Sequence, residues 1–114
     1  MVGFIRIGKE YLQKFAVGIS PSEETITPKS VSAGGSATLK DTGTTAILYA
    51  IVVFQGDGDS AIRYDVTIGG STYSLYANEI GIAVVVNATL RITAVNTDTV
   101  SAHNTGTIVI ARVA

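Results

Sequence analysis

The sequence predicts an all-β domain, an antiparallel β-sandwich with a jelly-roll-like course, preceded by an N-terminal arm. Three observations lead there. After residue 24 most segments alternate apolar with polar residues at period two. Those segments are filled with β-branched and aromatic side chains. Gly-Gly, Asp-Gly, Asn and Ser/Thr clusters, the chemistry of tight turns, separate them at short intervals. At 114 residues the chain is one domain by length, and it can bury a core without metals or disulfides.

In chain order, residues 1–20 form the arm and 21–114 the sandwich. VGFIRI reads as extended, and a helical turn around Tyr11, Leu12, Phe15 and Ala16 ends at Ser20-Pro21. Phe4, Ile5, Ile7, Leu12 and Phe15 are candidates for docking on a neighbouring subunit; the alternative is that the segment is the first strand of its own sandwich. Arg6, Lys9, Glu10, Gln13 and Lys14 interrupt its apolar residues, so no secretory leader is expected. The longest apolar run, residues 46–54, is well short of the roughly 20 residues that cross a bilayer as a helix, and no membrane partner is expected.

Strands are predicted over 24–28, 35–40, 45–55, 60–68, 71–76, 82–86, 88–95 and 106–113. The hairpin 62–76 is the clearest unit, because Gly69-Gly70 supplies a two-residue turn and so sets the register. Ile68 faces Ser71, Val66 faces Tyr73 and Tyr64 faces Leu75 on the core side, whereas Thr67 faces Thr72, Asp65 faces Ser74 and Arg63 faces Tyr76 outside. The stretch 45–55 differs because both of its parities are apolar. Ala46, Leu48, Ala50, Val52 and Phe54 lie on one side and Ile47, Tyr49, Ile51 and Val53 on the other, so the strand is covered on both faces. In 106–113, Val109, Ala111 and Val113 likewise oppose Ile108 and Ile110. Ile47, Tyr49, Ile51, Val53, Val109 and Val113 are therefore the candidate assembly contacts of the sandwich.

Charge points the same way. Only 15% of residues are charged, against about 25% in an average soluble domain, and from Tyr64 onward only Asp65, Glu79, Arg91, Asp98 and Arg112 carry charge. Either Thr, Ser, Asn and Gly keep that surface in water, or other subunits cover it. A net charge of −1 gives no electrostatic reason to expect nucleic acid.

Motifs that could carry chemistry are few. Gly56-Asp57-Gly58-Asp59-Ser60 places two carboxylates close together, but the twelfth position counted from Asp57 is Ile68 and the flanks are strands, so an EF-hand is excluded and turn chemistry is the reading. A looser calcium loop would need Asp41, Glu79 or Asp98 from elsewhere. His103 is the single histidine and cysteine is absent, so a multi-histidine or thiolate metal site is excluded and no cofactor is expected. There is no Gly-x-Ser-x-Gly nucleophile elbow and no phosphate loop after Gly34-Gly35. Arg63 with Tyr76 is the candidate ligand contact, and an exposed Tyr49 or Tyr76 is what a sugar platform would need. Asn87-Ala88-Thr89 matches a glycosylation acceptor, a pattern short enough to arise by chance.

TITPKSVSAGGSATLKDTG, the hairpin DVTIGGSTYSLY and the ending ATLRITAVNTDTVSAHNTGTIVIARV together resemble the small β-sandwich domains of virion structural proteins, the decoration, fibre and appendage subunits of tailed phages and archaeal viruses. The resemblance covers roughly residues 25–114. It implies a non-enzymatic, homo-oligomeric role on a virus particle, with other virion proteins as partners and a host surface glycan as a further one. The alternatives are an extracellular filament subunit assembled by strand addition and a carbohydrate-binding module.

Overall fold

The computed structural model of the chain describes residues 22–113. These residues form ten strands and no helix: β1 (Ser22–Ile26), β2 (Ser30–Val31), β3 (Ser36–Asp41), β4 (Ile47–Gln55), β5 (Ile62–Ile68), β6 (Ser71–Tyr76), β7 (Ile80–Ala88), β8 (Leu90–Asn96), β9 (His103–Asn104) and β10 (Ile108–Arg112). Every stretch expected to be a strand is one. β2 and β9, at two residues each, are too short to carry a periodic signal and were not expected. The arm residues Phe4, Ile5, Ile7, Leu12 and Phe15 lie outside the described residues.

The topology unfolds from one turn. Gly69 has φ +61° and Gly70 has no positive φ, the pattern of a type II′ hairpin, which tolerates only glycine well at its first position. Around that turn β5 pairs with β6 in the register expected from the sequence, Ile68 with Ser71 through Arg63 with Tyr76. Moving outward, β4 pairs with β7, β3 with β8, β2 with β9 and β1 with β10, all antiparallel. The chain is thus one long hairpin about Gly69-Gly70. Rolling it up adds the β10–β4 and β5–β8 ladders and yields two four-stranded sheets, β1-β10-β4-β7 and β3-β8-β5-β6. Counting the eight long strands alone, this is the winding of a jelly roll.

Between the sheets lies the main core. Ile108, Ile110, Val52, Phe54 and Val85 point inward from the first sheet, and Ile62, Tyr64, Val66, Leu90 and Ile92 meet them from the second. Tyr64 leans on Phe54 with ring centroids 5.4 Å apart, and its hydroxyl accepts the buried Gly106 N–H at 2.7 Å. One side of the sandwich is closed by an ion pair across the sheets, Lys40 Nζ of β3 to Glu24 Oε1 of β1 at 2.8 Å. The other side, between the edges β6 and β7, opens into an apolar cleft of ≈ 470 Å³.

Two expectations are corrected. Ile47 was expected among the assembly contacts with Tyr49, Ile51 and Val53 but is 1% exposed in the main core, while Leu48, expected on the side of Ala50, Val52 and Phe54, is 62% exposed. The β4–β7 ladder keeps one register from Ile47–Ala88 to Tyr49–Val86, and the alternation changes between them, where Leu48 faces Asn87, a residue with φ +46°. From Tyr49 onward the parity is as expected. Tyr73 pairs with Val66 but is 60% exposed, because β6 is an edge strand and its inner side looks into the cleft rather than onto a packed layer.

The turn makes a differential prediction. Gly69→Ala should lower unfolding stability by about 1–2 kcal/mol, the penalty of a Cβ at positive φ. Gly70→Ala, with no positive φ and no heavy atom within 4 Å of an added Cβ, should change it by less than about 0.5 kcal/mol. Urea unfolding midpoints of the two variants check this, and equal losses would refute the assignment.

Candidate functional site

Two places concentrate unusual chemistry, a polar network at one loop end and the outer face of one sheet. At the loop end, Asp57 Oδ1 accepts the Thr107 N–H and its Oδ2 accepts the Thr107 hydroxyl, both at 2.6 Å. Asp59 Oδ2 accepts the Asn104 N–H at 2.8 Å, and the Asp59 N–H returns a bond to the Asn104 carbonyl at 3.0 Å. The two aspartates of the Gly-Asp-Gly-Asp turn thus tie the β4–β5 loop to the strand entering β10. Glycine is required at the contact, since a Cβ on Gly58 would run into the Gly106 amide. Among the described residues no group of three or more His, Asp or Glu is placed to hold a metal ion.

Asn96, 2% exposed, is the hub that sequence reasoning missed. Its Nδ2 donates to the carbonyls of Val31 (3.1 Å) and Ser101 (2.9 Å), and its Oδ1 accepts the Asp98 N–H at 2.9 Å. It thereby holds the β2 end and the β8–β9 loop. The only sequence signal was a polar residue falling on the inward parity of β8.

His103 bridges two carboxylates, Nε2 to Asp98 Oδ2 at 2.8 Å and Nδ1 to Asp59 Oδ2 at 3.3 Å. Only the imidazolium can donate through both nitrogens, so the bond to Asp98 first, then that to Asp59, raises the His103 pKa above 6.5. The same bonds hold the Asp98 carboxyl below its ordinary value, while Asp59 is lowered first by the Asn104 amide and then by His103. With both ring nitrogens facing carboxylates, the imidazole is arranged as a strut between loops.

The outer faces of the two sheets are chemically opposite. On β3-β8-β5-β6 the face is wet. Arg63 donates to both oxygens of Asp65 at 3.0 and 3.2 Å, Ser74 donates to the same carboxylate at 2.9 Å, and Thr67 meets Thr72 at 3.0 Å. On β1-β10-β4-β7 the rows run Ala111–Ile51–Val84 and Val109–Val53–Ile82, with Val86 beside Tyr49; the polar residues of this parity are Glu23 and Thr25 on the β1 edge and Gln55 opposite Ile80 at the end of β4. Ile51, Val53 and Ala111 are buried in a second cluster with Val109 and Val113 packed on it, whereas Ile80, Ile82, Val84 and Val86 of β7 stay 36–58% exposed. No described strand lies over this face.

Five of the expected assembly residues, Tyr49, Ile51, Val53, Val109 and Val113, therefore come together on one surface, and Ile47 does not. The exposed row on β7 was not singled out from the sequence, although IAVVV shows two apolar parities there. Arg63 and Tyr76 are cross-strand neighbours, but the guanidinium is committed to Asp65. Tyr49 and Tyr76 sit on the outer faces of opposite sheets and cannot form one platform.

No family model matches the chain, and no curated protein matches it in sequence. Among solved structures it is similar to the crystal structure of FlhE, with a TM-score of 0.47 and 12% identity over 83% of this chain and 96% of that one.

Two predictions follow from the network. Because folding raises the His103 pKa, the strut's contribution is complete below pH 6.5 and is lost as pH rises through the folded value. The urea midpoint should therefore fall across that window, His103→Gln should flatten this part of the profile, and Asp98→Asn should lower the His103 titration midpoint seen by NMR. A histidine titrating at or below 6.5 would remove the strut. Asn96→Ala should cost about 2–3 kcal/mol in chemical denaturation, since it strands the buried Val31 carbonyl and the partly buried Ser101 carbonyl and Asp98 N–H.

Proposed function

We propose that this protein is a non-enzymatic structural subunit that assembles with copies of itself as part of a virus particle, in the manner of a capsid decoration, fibre or appendage subunit. The carrying observation is the apolar outer face of the β1-β10-β4-β7 sheet beside the polar, ion-paired face of the other sheet. A sheet with one face on a core commonly turns polar residues to water on the other, whereas here Ile51, Val53 and Ala111 are buried on that other face and Ile80, Ile82, Val84 and Val86 stand exposed beside them. Covering it is worth roughly 25 cal/mol per Å², and repetition by symmetry multiplies modest contacts into a stable shell or shaft. The low charged fraction and the resemblance of residues 25–114 to virion β-sandwich subunits support the same reading. Jelly rolls serve in viral capsid domains, lectins and cupins alike, so the winding alone does not choose among them. Its partners on this reading are copies of itself, other virion proteins and a host surface glycan, and its place is the virion.

A second reading, an extracellular filament subunit built by strand addition, draws support from the uncharged edge strand β7. It uses the same sheet.

The test is the mass of the full chain by light scattering across a concentration series, with negative-stain microscopy of the concentrated protein. Regular assemblies are expected. Tyr49→Lys combined with Val109→Lys should weaken association at least tenfold while circular dichroism still shows a β protein. A monomer at every concentration would sink the proposal.

A further inference from the structure

Of the four edges of the two four-stranded sheets, three carry features that discourage another strand. β1 presents Glu23 and Glu24 and is followed by Pro28. β3 ends in Lys40-Asp41 and has a register break between Thr38 and Lys40. On β6 the Tyr76 N–H is taken by Glu79 Oε1 at 2.8 Å. β7 has none of these. Its nine residues, IGIAVVVNA, include no charge and no proline, and they run regularly against β4 from Ile80 to Val86. A long, uncharged, apolar edge is a template for another strand.

We propose that the occupant of this edge is β7 of a second copy, paired antiparallel about a two-fold axis at Ala83, so that two β1-β10-β4-β7 sheets become one continuous sheet. This deepens the assembly reading above and rests on it. Side-chain parity limits the register, since the apolar outer faces of the two copies coincide only if outer-face residues oppose outer-face residues. Of the registers that satisfy this, the one centred on Ala83 overlaps the whole regular stretch. Ile80 then opposes Val86, Ile82 opposes Val84, and all four exposed apolar residues of β7 gain β-branched partners, the favourable kind of cross-strand pair.

Charge is compatible with self-pairing here. The nearest charge, Glu79, opposes the neutral Asn87 of the second copy rather than another acid, whereas a β1 or β3 edge would bring its own charges into the joint. The joint is isologous and closes as a dimer.

Absence of cysteine from the chain allows a register-specific test. Ile82→Cys and Val84→Cys full-length proteins are prepared separately, mixed under mild oxidation and run without reductant. The proposal expects a disulfide-linked dimer from the mixture and none from either variant alone, because opposed residues lie within disulfide reach and diagonal ones, about 7–8 Å apart, do not. Ile82→Lys should in addition weaken dimerisation at least tenfold by light scattering. Should that variant fail to fold, the cysteine pair, with smaller changes at an exposed edge, decides alone.

Assembly without any cross-link would overturn the inference and leave the structural-subunit reading standing. If Ile82→Lys nevertheless disrupts that assembly, another strand, such as residues 1–20 of a neighbour, fills the edge. Cross-linking of a single variant with itself would overturn the Ala83-centred register. A full-length monomer at all concentrations would remove both readings together.

Discussion

One hairpin register governs the molecule. The type II′ turn at Gly69-Gly70 places Ile68 opposite Ser71, and the same antiparallel return continues through β4–β7, β3–β8, β2–β9 and β1–β10, so each successive ladder joins segments nearly equidistant from the turn. Because side chains alternate at period two, a slip of one residue at the turn would send Tyr64 and Val66 into water and Arg63 and Asp65 into the core. The jelly roll is what this long ribbon becomes when its apolar side closes on itself. The added β10–β4 and β5–β8 pairings satisfy the strand edges that an unrolled ribbon would leave open.

Closing the roll leaves an asymmetry. The second sheet turns Arg63, Asp65, Thr67, Ser74 and Arg91 outward, where Arg63 and Ser74 bond Asp65 and Thr67 meets Thr72. The first turns outward a second apolar layer centred on β4. Inner residues Val52 and Phe54 hold the sandwich together, and outer residues Ile51 and Val53 have no described strand above them. The two edges of that sheet differ as well. β1 is acidic and tied to β3 through Glu24 and Lys40, while β7 is neutral and borders an open cleft. Stability and association thus draw on opposite faces of the same strands. Substitutions that solubilise the outer face can therefore leave the inner core intact.

At the loop end the organising force is hydrogen-bond satisfaction rather than apolar burial. Gly58 and Gly106 allow two backbones to touch, Asp57 caps Thr107, Asn96 ties β2 to the β8–β9 loop, and His103 spans Asp59 and Asp98. Each carboxylate there meets an N–H or O–H donor. This network explains why a turn rich in Gly and Asp, which in isolation suggests a cation loop, acts as the lock between the β4–β5 and β9–β10 connections.

Period-two alternation and turn residues were enough to determine the sandwich class, the eight long strands and the β5–β6 register, because these depend on interactions between neighbours in sequence. Double-sided cover was expected for 45–55 and 106–113, since both parities are apolar there, and Ile51, Val53 and Ala111 on one face and Val52, Phe54, Ile108 and Ile110 on the other are buried. What only the tertiary structure decided are the facts set by residues far apart in the chain. Tyr49, Ile51 and Val53 share a surface with Val109 and Val113 because rolling brings β10 beside β4. Ile47 turns inward opposite Ala88, at the end of the ladder where the alternation of β4 changes beside the positive φ of Asn87. Tyr73 is exposed because β6 ends a sheet, and the aspartates of the Gly-Asp-Gly-Asp turn have partners some 45 to 50 residues away. Alternation says which way a side chain points from its own strand. Which strand lies beside it, and whether an edge remains open, is decided by the closure of the whole roll.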